Sequence, residues 1–324
     1  MGEQNIWLNG IMGFIVGDAL GSQVQFMDRQ LLKKRGLVTG MEGYGRFNKT
    51  KGSFTDVGSM VLATLNSIIE QGKIAPYDIM DKYVSWLADK EKYKSYGPPV
   101  YIRSLCYKAI MEYQETWRIS IHGQGFEESK DNSSIIRILP VCLYAYIKKI
   151  DMDETMRLIC EISGLTNPHK RCMIGCGFYY FAICAILDND NEKNLYERLK
   201  KGIAKAFSYF ETKKDYMDEV KYFERLRNLT DFMDISEEKI QSNDDVVNTF
   251  EAVVWSLLKT DNVKDALLTA VNLGNDSTAI GALVGALSGI FYSYEGIPME
   301  WLEVIQRREW VEEMCYKANI RFSV

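Results

Sequence analysis

No Pro-, Gly- or Ser-rich linker interrupts the 324 residues of this chain, so a single large domain over 1–324 is the expectation rather than two joined ones. Prolines are few, six in all, and alternating apolar and polar runs are nearly absent, which argues against a sheet-based architecture. A long basic stripe is missing too. The densest basic run is KKR at 33–35, read as a solvated helix end, and the net charge of −5 comes from 39 basic and 44 acidic residues, so no nucleic-acid partner is indicated. The seven cysteines have no paired spacing, which fits a reducing cytoplasm better than a disulfide framework. Cys172 and Cys176 stand four apart on an apolar helix, without the further Cys/His pair that a tetrahedral metal site requires, and are read as core. The opening MGEQNIWLNGIMGFIVG lacks a basic leader region and a small-residue cleavage site, and Asp18 breaks its apolar run. It reads as a folded helix of a cytoplasmic protein with no membrane segment.

Helical periodicity is what the chain does have. Apolar residues recur at three- and four-residue spacing in 59–70, 77–89, 136–149, 153–162, 172–187, 246–258, 263–271 and 278–292, which predicts an all-α protein of about a dozen helices. Hydrophobic residues make up 47% of the chain, enough for a sizeable core. Glycine recurs every fourth position at Gly13, Gly17 and Gly21 and again at Gly281, Gly285 and Gly289. Each helical glycine costs about 1 kcal/mol against alanine, so both segments are expected at the buried centre, where the missing side chains allow close backbone approach. Between the helices lie a loop over 36–58 with six glycines and a polar loop over 118–135, both candidates for functional segments. The highly charged stretch 188–244 reads as one or two peripheral helices capping the core.

Three polar clusters stand at predicted helix starts: Thr55-Asp56, Asn132-Ser133-Ser134 and Asn275-Asp276-Ser277-Thr278. Each is chemically ambiguous. Such side chains cap helices by accepting from free amides, yet a Ser/Asn-rich helix start also suits a phosphate, and Asp and Thr oxygens suit Mg2+.

Taken in order, these clusters resemble the motifs of the ADP-ribosylglycohydrolase family, which includes the dinitrogenase-reductase-activating glycohydrolases. GFIVGDALGSQVQF at 13–26 is similar to the family's opening G-x-x-x-G-D-A-x-G-x-x-x-E, and GSFTDVGSM at 52–60 to G-x-W-[ST]-D-D-T-x-M. NSSIIRILP at 132–140 resembles N-G-[SA]-A-M-R-I-x-P, LTNPHKRCMIG at 165–175 resembles T-H-x-x-x-x-A, and the run from VNLGNDSTAIG to IPMEW resembles the closing V-N-x-G-G-D-x-D-T motif and its helix. The resemblance implies an orthogonal helical bundle around a cleft, in which two Mg2+ ions hold the ribose of ADP-ribose while water cleaves its glycosidic bond.

Carried over position by position, the resemblance assigns Asp56 and Asp276 as catalytic residues, with Thr55, Asp56 and Asp276 as the remaining metal ligands. It assigns Asn132, Ser133, Ser134, Ser277, Thr278 and His169 to ligand binding, His169 standing two positions after Asn167, where the family has its His. The departures fall on the ligands. Gln25 stands at the family's Glu position, Val57 at its second Asp, Gly58 at its Thr, Thr278 at the second Asp of the closing motif and Ala279 at its Thr. This set is expected to hold one weak Mg2+ or none, and Gln25 cannot exchange a proton near neutral pH. Glu42 is the candidate for a rebuilt acid. Arg137 is read either as phosphate-facing or as half of an internal ion pair. The functional expectation is recognition of ADP-ribose or ADP-ribosylated targets with weakened or lost hydrolysis. The alternatives are an active hydrolase with an altered metal site, and an immunity-type protein docking an ADP-ribosyltransferase through 188–244.

Overall fold

The computed structural model describes residues 5–89, 92–95, 101–119, 130–188 and 194–322. Most of the polar loop predicted at 118–135 lies outside them. Among the described residues the chain is all-α, with sixteen α-helices and no strand: α1 (Ile6–Ser22), α2 (Arg29–Arg35), α3 (Asp56–Gln71), α4 (Pro76–Ala88), α5 (Ser104–Thr116), α6 (Leu139–Ile147), α7 (Met152–Gly164), α8 (Lys170–Leu187), α9 (Leu195–Glu211), α10 (Met217–Val220), α11 (Leu229–Met233), α12 (Val246–Leu258), α13 (Val263–Asn272), α14 (Ser277–Tyr292), α15 (Met299–Leu302) and α16 (Arg308–Phe322). Twelve of these have nine residues or more, matching the dozen that the periodicity predicts.

The glycine repeats explain the centre. α1 and α14 run antiparallel along a seam in which Gly13 faces Gly285 and Gly17 faces Gly281, while Gly21 faces the start of α14 at Ser277. A Cβ built on Gly13 would lie 2.1 Å from the carbonyl oxygen of Gly285, and one on Gly17 would lie 2.0 Å from that of Gly281. No side chain fits at such distances, so the two backbones meet because glycine allows it. Both helices are apolar around their circumference and buried nearly throughout, as expected of helices with no solvent face. α3, α6, α8, α12, α13 and α16 pack around this pair.

Two expectations are corrected here. The predicted helix 136–149 is broken into a 3-10 turn over Ile135–Arg137 and α6, with Pro140 at its first turn. Proline lacks the amide that would continue a helix through it and favours a first-turn position. The stretch 188–244 holds α9, α10 and α11 with two 3-10 turns rather than one or two helices, and it is not merely peripheral. Its Phe207, Phe210 and Phe223 rings lie 5.0, 6.0 and 4.8 Å from Phe178 on α8, adding an aromatic layer to the core. α8 is long and apolar enough to cross a membrane, and most of it is buried against α7, α9 and α12. Cys172 and Cys176 are buried within it, as expected.

Candidate active site

Because α1 and α14 are antiparallel, the end of one meets the start of the other, and the site forms there. Gln25, just past α1, spends its whole amide on this junction. Its Oε1 accepts from the Thr278 amide at 2.9 Å and the Ser277 hydroxyl at 3.2 Å, and its Nε2 donates to Asp276 Oδ1 at 2.6 Å. Gln25 therefore caps α14 in place of Asp276, which stands at the N-cap position without making a capping bond. Ser277 Oγ also donates to the Gly21 carbonyl, so Ser277 and the Thr278 amide serve helix packing.

Asp18 plays the same part for α3. Its carboxylate, fully buried on α1, accepts from the Thr55 amide, the Thr55 hydroxyl and the Gly58 amide, each at 2.8 Å. Burial pushes Asp18 up to about 7, with the Thr55 and Gly58 donors acting the other way and Asp56 adding to the rise. In the sequence Asp18 looks like an interruption of an apolar run. The overlooked signal is a carboxylate inside a helix otherwise made of small and apolar residues, which must find buried donors. Thr55 is thereby committed to Asp18 and to capping Val57 at 3.3 Å.

With both helix starts capped from α1 and the residues just after it, Asp56 and Asp276 share one partner: Arg103, at the N-cap of α5. Arg103 Nη2 donates to both oxygens of Asp276, at 2.9 and 2.7 Å, and Nη1 donates to Asp56 Oδ2 at 3.4 Å. All three side chains are 3–5% exposed. Asp276 also accepts from Asn132 Nδ2 at 2.6 Å. Burial pushes Asp56 up to about 6, Arg103 pulls it down and Asp276 raises it further. Burial disfavours the Arg103 cation, but the pull of Asp276 and Asp56 is greater, so its pKa ends above the ordinary range and it stays charged. The sequence gives no hint of Arg103, which lies 47 residues from Asp56 and 173 from Asp276 and belongs to no motif.

The magnesium pair that the resemblance implies does not fit this donor set. Both carboxylates are engaged by nitrogen donors, and Thr55 Oγ is spent on Asp18. The positions where the resemblance implies further ligands are filled by packing: Val57 and Ala279 are fully buried apolar residues, and a Cβ at Gly58 would lie 2.8 Å from Ile15 and 2.9 Å from Asp18. Among the described residues no three His, Cys, Asp or Glu side chains come together to hold a metal.

The other candidates divide. Asn132 belongs to the site through Asp276, and also donates to Thr249 Oγ1 at 2.8 Å. Ser133 and Ser134 are buried, and the element that follows them is the 3-10 turn rather than the long helix expected to present a phosphate site. Arg137 is fully buried and, among the described residues, makes no ion pair. Its guanidinium donates to the carbonyls of Ser133 at 2.5 Å, Ser163 at 3.3 Å and Ile162 at 3.4 Å, tying that turn to the end of α7. His169 caps α8 by accepting from the Arg171 amide at 3.0 Å. Glu42 is an exposed residue paired with Arg35 at 3.7 Å, so it supplies no acid to the site. It points outward because its own amide and that of Gly43 bind Gln23 Oε1, which fixes the glycine-rich loop.

A cavity of about 230 Å3 opens over Arg103 and Asp276, lined further by Phe26, Tyr101, Asn243, Asp244 and Asn275. Phe26 and Tyr101 meet edge to face at 5.1 Å, and Arg46 lies over the Phe26 ring at 5.0 Å. Phe26 and Asn275 both adopt left-handed backbone conformations, with φ of 64° and 53°, and are joined by bonds from Phe26 N to Asn275 O at 2.6 Å and from Asn275 N to Met27 O at 2.7 Å. Asparagine tolerates this region and phenylalanine rarely does, so the aromatic wall is held in a strained turn. A larger cavity, about 560 Å3, lies between α7 and α9 and shares no residue with this site.

Comparison with known proteins places the chain in a family. The chain is 27% identical over 312 residues to the ADP-ribosylarginine hydrolase Tri1 of Serratia proteamaculans, covering 95% of this chain and 78% of that protein. It is 24% identical over 303 residues to the ADP-ribosyl-[dinitrogen reductase] glycohydrolase of Rhodospirillum rubrum, covering 93% and 90% of the two chains. A solved structure described as an ADP-ribosylglycohydrolase-related protein complex superposes with a TM-score of 0.77 at 22% identity, over 99% of both chains, and shows the fold to be shared. The sequence profile of the ADP-ribosylglycohydrolase family matches residues 5–323, and the chain belongs to that family.

Proposed function

We propose that this protein recognises an ADP-ribose unit, free or attached to a protein, and that its metal-assisted glycosidic hydrolysis is weakened or lost. Family membership supports the ligand class. The observation that carries the second half is the engagement of both remaining carboxylates by Arg103, with the Gln25 amide beside Asp276 where a proton-exchanging acid would stand. Losing an acid/base group alone typically costs about 100- to 10,000-fold in rate. The cavity over Asp276, about 230 Å3, is smaller than the roughly 300 Å3 at which pockets for whole drug-sized ligands begin. It is sized for the ribose end of the ligand, with the remainder lying outside it, beyond the Phe26–Tyr101 wall. Seven unpaired cysteines support a reducing, cytoplasmic setting. Within 188–244, α9 and α10 pack on α8 and α11 packs on α12, which supports ligand recognition over docking through an outward-reaching segment.

Calorimetric titration of ADP-ribose, once with Mg2+ and once with EDTA, tests the reading. Equal binding in both is expected. Binding that requires Mg2+ would overturn the metal-free half, and absence of binding in both would overturn recognition.

A further inference from the structure

Arg103 has a geometry that an ordinary structural ion pair does not require. It reaches two carboxylates that come from helix starts far apart in sequence, at positions where the family resemblance implies metal ligands, and it lines the cavity beside them. We propose that the Arg103 guanidinium is a built-in cation in the place of the divalent metal, holding Asp56 and Asp276 together and keeping Mg2+ out of a carboxylate pair that binds it once the guanidinium is gone. This rests on the reading of Asp56 and Asp276 as the family site, but not on what ligand the cavity takes.

Three observations support it. The arrangement is chemically complementary: a delocalised, weakly hydrated guanidinium tolerates burial better than an ammonium and matches carboxylate geometry. Two buried carboxylates that stay charged need a compensating cation, and Arg103 is the only cationic side chain among the described residues that forms an ion pair with either Asp56 or Asp276. Gln25 points the same way independently. An acid at that position would set a third carboxylate against Asp276, whereas the amide presents Nε2–H at 2.6 Å. Asp276 accepts from Arg103, Gln25 and Asn132 together, which leaves it no lone pair aimed at a metal, while Mg2+ demands near-octahedral oxygen coordination.

The test is a Mg2+ and Mn2+ titration of wild type, Arg103→Ala and Arg103→Lys, read by calorimetry and by thermal shift. Wild type and Arg103→Lys are expected to show no saturable binding up to about 10 mM, and Arg103→Ala to bind at least about tenfold more tightly than that limit. In Arg103→Ala, guanidinium ion at low millimolar concentration should raise the melting temperature and compete with the metal, which a merely structural arginine would not predict. Saturable wild-type binding at millimolar or tighter affinity would overturn the proposal, as would an Arg103→Ala protein that folds yet binds neither cation. If Arg103→Ala does not fold, the wild-type titration decides. Failure of ADP-ribose to bind leaves the metal result unaffected, so the two readings fail separately.

Discussion

The same two helices build two regions that differ in what they keep. Along their length, α1 and α14 retain the small residues of the family resemblance, and the backbones touch at Gly13, Gly17, Gly281 and Gly285. At the end of that seam, the positions where the resemblance implies an acid and further ligands hold Gln25, Thr278 and Ala279 and, on α3 against Ile15 and Asp18, Val57 and Gly58. The seam cannot vary without separating the helices, because no rearrangement makes room for a Cβ at 2.0 Å from a carbonyl. The site can vary wherever one cation is exchanged for another of suitable shape and charge. Capping by Gln25 and Asp18 and the bridge through Arg103 secure the three segments internally.

Substitutions that separate these regions have graded effects. Arg103→Met, which leaves two buried carboxylates uncompensated, should have the largest, about 3–5 kcal/mol at neutral pH by denaturant unfolding. Its pH dependence identifies the cause. Asp56 already has a folded pKa of about 6 against an ordinary 3.8, so the folded state holds more protons than the unfolded one in that window. The stability contributed by this group is present below about pH 4 and is lost as pH rises through about 6. Without Arg103 the folded pKa rises further, so the variant should recover stability on acidification toward pH 5. A pH-independent deficit would mean that lost packing, not uncompensated charge, is responsible.

Gly17→Ala on the seam should cost about 1–3 kcal/mol or more through overpacking, with no such recovery in acid, and its Mg2+ response should stay that of wild type. Asp18→Asn, which keeps its oxygen on the Thr55 and Gly58 amides and sets its NH2 against the Thr55 hydroxyl, should cost about 1–3 kcal/mol and loosen the start of α3, read as faster hydrogen exchange at Val57, whose amide the Thr55 hydroxyl caps. Glu42→Gln, remote from the site, should change stability by less than about 0.5 kcal/mol and leave ADP-ribose binding unchanged. A large loss of binding there would restore Glu42 as a functional acid.

The seam was legible in the sequence because glycine spacing states a packing requirement directly. The helices were legible where apolar residues follow one face, and less so where charge dilutes the pattern. α16 buries Val311, Met314, Cys315, Ala318 and Phe322 at helical spacing, but its charged residues conceal the stripe. Asp56 and Asp276, the two carboxylates that Arg103 joins, were legible through motif order. Their partner was not, since nothing local connects the Arg103 segment to either motif and the ion pair exists only after α3, α5 and α14 converge. His169 and Ser134 mislead for a related reason: the residue types that bind anions also cap helices and fill buried turns. The sequence cannot distinguish these uses without the tertiary contacts.

The most direct test of the exchanged cation is diffraction from crystals grown in manganese, with anomalous differences measured at the manganese edge. The account predicts no peak between Asp56 and Asp276 and an Arg103 guanidinium bonded to both. A manganese peak at that position, with Arg103 displaced into the cavity, would contradict it.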